Sequence, residues 1–467
     1  MSHAAPGRRS ATRRTRFNPT TLLAVVLPVL TALALVSVRP GATGETTGPP
    51  TRTDLTTATV VCPAPMEGAP DVALTSSADG VDGDVRVGLG DKTTRARVTS
   101  GQVTTVGRGD GPAAVVGEDE TAPGLAAARF GDRETAAMGC VAPAPVSWFT
   151  GVGAGAGHTS VLELVNPDSG TAVADITVYG RAGVIDVPQL RGVSVSGGTS
   201  VRLDLASIVP RRDELAIQVV ASRGRLGSTV LDRYDEVGAA ELTQDWLPAQ
   251  AGPATSTTLM GLAPGQGRRT LVLANSSDDE VRARLQVVTE ESVFAPEGVP
   301  EIRIAPQSVQ RVSLSSELGP AVEDGAIGVR LASSGPITAT LRSYVGHDLS
   351  HAVPADVVET SATVLLPEGA KGDEKSVLLA GATNAGDVTV TSRSASGAEL
   401  DSTKVEISPN RGVVVPLPDG AVLVTITPAR TVVTGSAMVS GRSGAAVLPL
   451  RRPVLSGLIP AVRPGLP

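Results

Sequence analysis

The chain has 467 residues, 41% hydrophobic and 19% charged, so it has apolar content for several buried cores and does not have the composition of a disordered chain. Its formal charge of −7 conceals a basic leader, since residues 1–50 carry six arginines against Glu45 and the remainder therefore carries −12. An acidic body argues against nucleic acid as a partner, because phosphate binding needs a basic face that displaces counterions.

Aromatic residues are only 2% of the chain, which leaves the interior to Val, Leu, Ile and Ala. Stiff β-branched side chains of this kind suit pleated sheets, and 52 Gly with 35 Pro favour turns over long helices. The length accommodates three or four domains of ordinary size.

Residues 1–18 read as a basic cytoplasmic tail and 19–39 as a signal-anchor or transmembrane segment. The uncharged run Leu22–Val38 lies at the border between the core of a signal peptide and a spanning helix of ~17–25 residues. Arginines before it and acidic sequence after it keep the N-terminus inside and send the rest across. Two outcomes stay open: a single-pass membrane protein with an extracytoplasmic body, or a secreted protein if the segment is cleaved. Residues 40–57, rich in Gly, Thr and Pro, read as a flexible linker.

Four β units follow, at 58–143, 144–250, 253–357 and 360–450, with a C-terminal strand and tail at 451–467. The first contains both cysteines of the chain, Cys62 and Cys140. In an exported protein they read as a disulfide, which would destabilise the unfolded chain by about 4 kcal/mol; buried thiols are the alternative. The next units carry the clearest repeat. Val161–Asn166, Leu271–Asn275 and Val377–Ala380 running on to Asn384 are apolar runs, and their asparagines are evenly spaced. Each is followed by turn residues and a second valine-rich run, the pattern of strand, turn and strand repeated at the period of a small domain. About seven strands per unit imply an all-β protein of tandem immunoglobulin-like β-sandwich units behind one N-terminal helix. The competing architecture is a β-propeller-like closed ring with two blades per repeat.

Chemistry-bearing motifs are sparse. Of the four histidines, His3 lies in the leader, His158 stands beside Ser160, and His347 and His351 flank Asp348-Leu349-Ser350. Zinc would require further ligands, so the His347–His351 segment reads as a solvated loop. The glycines of Gly151–Gly157 approach a dinucleotide-loop spacing, but a strand follows instead of a helix, and the stretch reads as a mobile loop. Glu118-Asp119-Glu120 and Ser277-Asp278-Asp279-Glu280 read as solvated acidic turns, not calcium loops. Arg108-Gly109-Asp110 spells an adhesion tripeptide of little specificity, and the sequon Asn275-Ser276-Ser277 occupies the repeated turn. No catalytic, cofactor or metal residues are assigned on this reading.

The basic N-terminus, the single apolar span, Cys62-Pro63 at the start of the body and strands such as Leu162–Pro167 resemble an uncharacterised family of actinobacterial secreted or membrane-anchored proteins. That resemblance implies an envelope location and supplies no functional residues. The expected function is a non-enzymatic scaffold or binding module of the cell envelope, with the membrane reached through the N-terminal helix and an envelope protein or glycan as partner. The alternatives are an accessory subunit of envelope polysaccharide or glycosyltransferase machinery, and a hydrolase whose site lies between β units and draws on His158, His347 or nearby acids.

Overall fold

Alternation of side chains builds the molecule. Along Val281–Val288, Val281, Ala283, Leu285 and Val287 are buried while Arg282 and Arg284 are exposed, as a strand with one wet face requires. The computed structural model describes residues 26–31, 33, 51–69, 71–107, 109–131, 135–235, 242–369, 372–442 and 444–459. Among these no helix is long and apolar enough to cross a membrane. Of the Leu22–Val38 run only 26–31 and 33 are described, and they are helical; the rest of the anchor-or-signal segment, the basic tail, residues 40–50 and residues 460–467 lie outside the described residues.

The linker expected up to residue 57 gives way earlier to β1 (Thr51–Asp54). Sandwich 1 then comprises β2 (Thr57–Cys62), β3 (Asp71–Ser76), β4 (Asp82–Leu89), β5 (Lys92–Thr99), β6 (Thr104–Gly107), β7 (Ala113–Glu118), β8 (Leu125–Phe130) and β9 (Ala137–Gly139). Sandwich 2 has β10 (Val146–Ala154), β11 (His158–Asn166), β12 (Ala172–Gly180), β13 (Gly183–Ile185), β14 (Val193–Val195), β15 (Thr199–Asp204), β16 (Arg212–Arg223), β17 (Gly227–Tyr234) and β18 (Thr243–Leu247). Sandwich 3 has β19 (Ala254–Met260), β20 (Gly267–Asn275), β21 (Val281–Val288), β22 (Val293–Phe294), β23 (Ile302–Ile304), β24 (Ser308–Ser313), β25 (Gly328–Val345) and β26 (Asp348–Ala352). Sandwich 4 has β27 (Ala362–Leu365), β28 (Glu374–Ala380), β29 (Gly386–Arg393), β30 (Glu399–Ile407), β31 (Val413–Pro416), β32 (Leu423–Ala429), β33 (Thr434–Gly441) and β34 (Gly444–Pro449). The last strand, β35 (Ser456–Ile459), pairs with β1 and does not extend a sandwich edge.

One topology recurs four times. In sandwich 1 the two sheets run β2-β7-β4-β5 and β6-β3-β8-β9, and in sandwich 4 they run β27-β32-β29-β30 and β31-β28-β33-β34. Both place the first, sixth, third and fourth strands in one sheet and the fifth, second, seventh and eighth in the other. Sandwich 2 follows the same order with its fourth strand split into β13 and β14. Sandwich 3 fuses the sixth and seventh strands into the 18-residue β25, which pairs with β19 and β21 in one sheet and with β20 and β26 in the other. The strand pairs are antiparallel. The fold is therefore all-β and built of tandem sandwiches. Among the described residues no closed barrel or ring forms, which removes the propeller alternative: the two faces of each sandwich close its core, and no blade needs a strand from the chain's far end.

Four main aliphatic cores follow, one per sandwich. Cys62 and Cys140 form the disulfide and tie β2 to the segment after β9. The sandwiches also touch one another. Val61, Ala114 and Val165 join sandwich 1 to sandwich 2, and Leu378, Ala380 and Val447 of sandwich 4 enter the core cluster of sandwich 3. Sandwich 4 reaches back to sandwich 1 through Leu365 and Leu423 packed on Ala73 and Ala128.

The repeated asparagine is resolved in atomic detail. Asn166 Nδ2 donates to the carbonyls of Gly170 and Val195, and its Oδ1 accepts from Asp168 N. Asn275 makes the equivalent bonds to Asp279 O, Ile304 O and Ser277 N, so both buried side chains staple the end of the second strand to the turn beyond it. Asn384 breaks the series. It is exposed and four residues past the end of β28, where Gly381, at φ +73°, takes the place of the asparagine. Glycine reaches that left-handed conformation without a side-chain staple.

Candidate site at the junction of sandwiches 2 and 3

The interior stripe of β11 passes from Leu164 through Leu162 to Ser160 and His158, turning polar at the end of the strand. Pairing in register brings Asp232 of β17 opposite Ser160, and Asp245 of β18 opposite Asp232. Sandwich 3 presents Arg342 and His351, themselves cross-strand partners on β25 and β26. The two sets meet. All of these side chains are buried, Asp232 and Ser160 completely.

Asp232 is the hub. His158 Nε2 lies 2.8 and 3.0 Å from its two carboxylate oxygens, Ser160 Oγ donates to Oδ1, and His351 Nε2 lies 3.0 Å from Oδ2. The other nitrogen of His351 is 3.2 Å from Asp245 Oδ2, and Asp245 Oδ1 accepts from Trp246 N at 2.8 Å. Arg342 is clamped by Glu214 through two hydrogen bonds, at 2.7 and 3.3 Å, and also donates to Gly151 O.

Burial and charge pull these groups in different directions. Burial alone would raise the Asp232 carboxyl, but the charge of His158 and the hydrogen bonds from both histidines outweigh it and hold the group far below the ordinary carboxylate range. Burial pushes Asp245 up to about 6, with His351 offsetting part of the shift. For His351 burial opposes protonation, yet its two carboxylate partners dominate and raise it to about 9. At neutral pH a His351 cation thus sits between two carboxylates.

The glycine-rich stretch before β11 serves this site. It is not a mobile loop: β10 continues through Gly151, Val152, Gly153 and Ala154, and only Gly155-Ala156-Gly157 turns. A side chain at Gly153 would fall 2.4 Å from the His158 ring, and Gly151, at φ +90°, lets Val272 and Thr340 of sandwich 3 approach. These glycines let the two sandwiches close over the histidine.

The predicted loop around His347 also resolves differently. Gly346 and His347, at φ +62° and +64°, make a two-residue hairpin turn, so residues 348–352 are a strand and His351 is buried where a solvated loop was expected. His158 and His351 therefore meet on Asp232, while His347 stays exposed on the turn, 6.4 Å ring to ring from Tyr344. Every described histidine and all three tyrosines lie at this junction, Tyr234 and Tyr344 beside the charged cluster and Tyr179 in the apolar patch with Trp148 and Val272. The remaining motifs lie apart. Glu118 pairs with Arg86, Asn275 is buried in its turn, and Arg108 lies outside the described residues.

A serine, a carboxylate and a histidine in contact invite comparison with a hydrolytic triad. Here Ser160 Oγ donates to the carboxylate and accepts from Gly153 N, with no imidazole between them and no exposure. A nucleophilic serine needs a base on its own hydroxyl, and a carboxylate held this firmly ionised is a poor one.

The solvent-facing part of the junction is a cleft of about 340 Å³ lined by His158, Asp213, Glu214, Tyr234, Arg268, Arg311 and Arg342. Arg268 lies over both tyrosine rings, 5.1 and 4.9 Å from their centroids. A second cleft of about 370 Å³ adjoins it, sharing Asp213, Glu214 and Arg311 and adding Arg181, Arg211 and Arg212. Sequence reasoning singled out His158 and missed Asp232, Asp245, Arg342 and the arginines; the scarcity of His and Tyr was the only pointer available.

Residues 90–418, well over half of the chain, match a family described as "Family of unknown function (DUF5719)". The chain belongs to this family. The DUF5719 match begins in sandwich 1, ends in sandwich 4 and contains all of sandwiches 2 and 3, with every residue of the junction described above. No curated protein matches the chain.

Proposed function

We propose that this DUF5719 protein is a non-enzymatic binding module of the cell envelope, carried outside the cytoplasm behind its N-terminal apolar segment and engaging its ligand in the cleft between sandwiches 2 and 3. The observation that carries the reading is convergence: rare residue types, dispersed from 158 to 351 in the sequence, assemble at one junction and open onto solvent. The buried network fixes the cleft walls, because every polar group that positions Arg342 and His158 is itself hydrogen-bonded. A basic leader before an apolar run, together with a disulfide in the body, supports an extracytoplasmic setting.

The test combines location and binding. In intact cells, externally added protease should degrade the body while cytoplasmic markers survive, and the full-length purified protein should retain a component of an envelope extract that a cleft variant, Arg311→Glu, does not. Release of cleaved polymer from that extract by the purified protein would replace this reading with the hydrolase alternative.

A further inference from the structure

The two adjoining clefts form one groove whose lining has the opposite sign to the body around it. Six arginines, Arg181, Arg211, Arg212, Arg268, Arg311 and Arg342, face three carboxylates, Asp213, Glu214 and Asp235. Outside the leader the chain carries a formal −12. Glu214 is already engaged: it holds Arg342 and lies 3.4 Å from Arg311 Nε. The Asp213 carboxylate sits 2.8 Å from where a Cβ on Gly155 would be, beside the glycine turn. Arg181, Arg211 and Arg212 form no ion pair among the described residues. Arg211 is also held at φ +63°, with its N–H on Ala154 O, which fixes it at the mouth of the groove directly before β16.

Like charges gathered on a rigid surface repel one another, and an anion relieves that repulsion. Guanidinium groups bind carboxylate and phosphoryl oxygens in pairs, which suits a ligand bearing several such groups. The ends of the groove differ. One gathers Arg181, Arg211 and Arg212 around Asp213 and Glu214, while the other adds the Tyr234 ring beneath Arg268, a surface that can meet the apolar face of a ring.

We infer that the groove between sandwiches 2 and 3 binds an acidic polysaccharide, a sugar chain whose carboxylate or phosphodiester groups recur along its length. This inference rests on the binding-module reading and names its ligand. Charge density selects the sugar chain over other polyanions. A nucleic acid strand carries a charge about every 3.4 Å, so its flanks would meet the acidic body on either side of so short a basic stretch. A polysaccharide with one charge per sugar ring or fewer can seat its anions on the arginines and extend past them at smaller cost.

The experiment titrates the full-length protein with polygalacturonate, with a glycerol phosphate polymer and with neutral dextran, over a series of salt concentrations. At least one anionic polymer should bind, dextran should bind at least tenfold more weakly, and affinity should fall as salt rises; which anionic polymer binds tighter tells carboxylate from phosphodiester. The Arg211→Glu/Arg311→Glu pair should lower that affinity at least tenfold, whereas Arg95→Glu, on the exposed face of sandwich 1, should leave it unchanged. Should the double charge reversal fail to fold, Arg212→Gln with Arg311→Gln serves, with an expected loss of at least threefold. Dextran binding equal to that of the anionic polymers, or anionic binding untouched by the groove variants, overturns the inference but leaves an envelope-binding module standing. Binding of none of the three also overturns it, and the binding-module reading is then judged separately by protease accessibility and envelope-extract retention.

Discussion

Two junctions of this molecule join sandwiches of the same topology by opposite means. Between sandwiches 4 and 1 the contact is chiefly apolar: Leu365 and Leu423 pack on Ala73 and Ala128, Ala137 enters the core cluster of sandwich 4, and Val103 N donates to Ala395 O. Between sandwiches 2 and 3, an apolar patch of Trp148, Tyr179, Val272 and Val309 is interrupted by buried Asp232, Asp245, His158, His351 and Arg342. Burying ionised groups costs several kcal/mol each, and well-packed apolar residues would hold the same surfaces together as well or better. The contrast teaches that charge is not required for docking in this fold. At the 2–3 junction it shapes and holds the walls of the cleft.

Removing the hub should break the comparison most sharply. Asp232→Ala leaves two histidines and a serine without their shared acceptor and should cost about 3–5 kcal/mol by chemical denaturation. A cost below about 1 kcal/mol would mean that the network contributes little to the junction.

The next effect is one of pH. His351 is raised to about 9 from its ordinary 6.5, so the folded state holds its proton more tightly and the associated stability is complete below pH 6.5 and lost as pH rises through 9. Asp245, raised to about 6, acts in the same sense, its contribution fading as pH climbs from about 4 through 6. Unfolding free energy should therefore fall by roughly 3 kcal/mol between pH 6.5 and 9.5 from His351 alone, and the slope should vanish in His351→Gln. The opposite junction supplies the contrast: Leu423→Ala creates a cavity worth roughly 2 kcal/mol, with no pH dependence of its own.

The smallest pair tests the repeat. Asn275→Ala orphans backbone groups in a buried turn and should cost about 1–2 kcal/mol, whereas exposed Asn384→Ala should stay within about 0.5 kcal/mol. Equal costs would return Asn384 to the series.

These contrasts also mark what the sequence discloses. Strands and turns are legible because alternation is local: Val281–Val288 declares its wet and dry faces within eight residues. The cysteine pair is legible because the sequence reads as that of an exported chain, in which two cysteines have few uses other than a bridge. Asn166 and Asn275 are legible as a repeat, while Asn384 shows the weakness of spacing alone, since Gly381 can end the same strand by backbone conformation. The junction is illegible for a different reason. Asp232, Asp245, Arg342 and His351 sit on four strands and acquire meaning only when register sets them opposite one another and two sandwiches close. His351 is hidden further by a turn of Gly346 and His347, which resembles a loop until its two positive φ angles fold it into a hairpin.

The fused strand β25 has a mechanical corollary. Its first half is clasped by β19 and β21, and its second half carries Arg342 into the charged cluster. Tension on the sheet of β19 and β21 would travel to the cleft through covalent backbone, without relying on contacts that can slip. Strain in one sheet of sandwich 3 and the placement of Arg342 in the other would then be linked along a single continuous tendon.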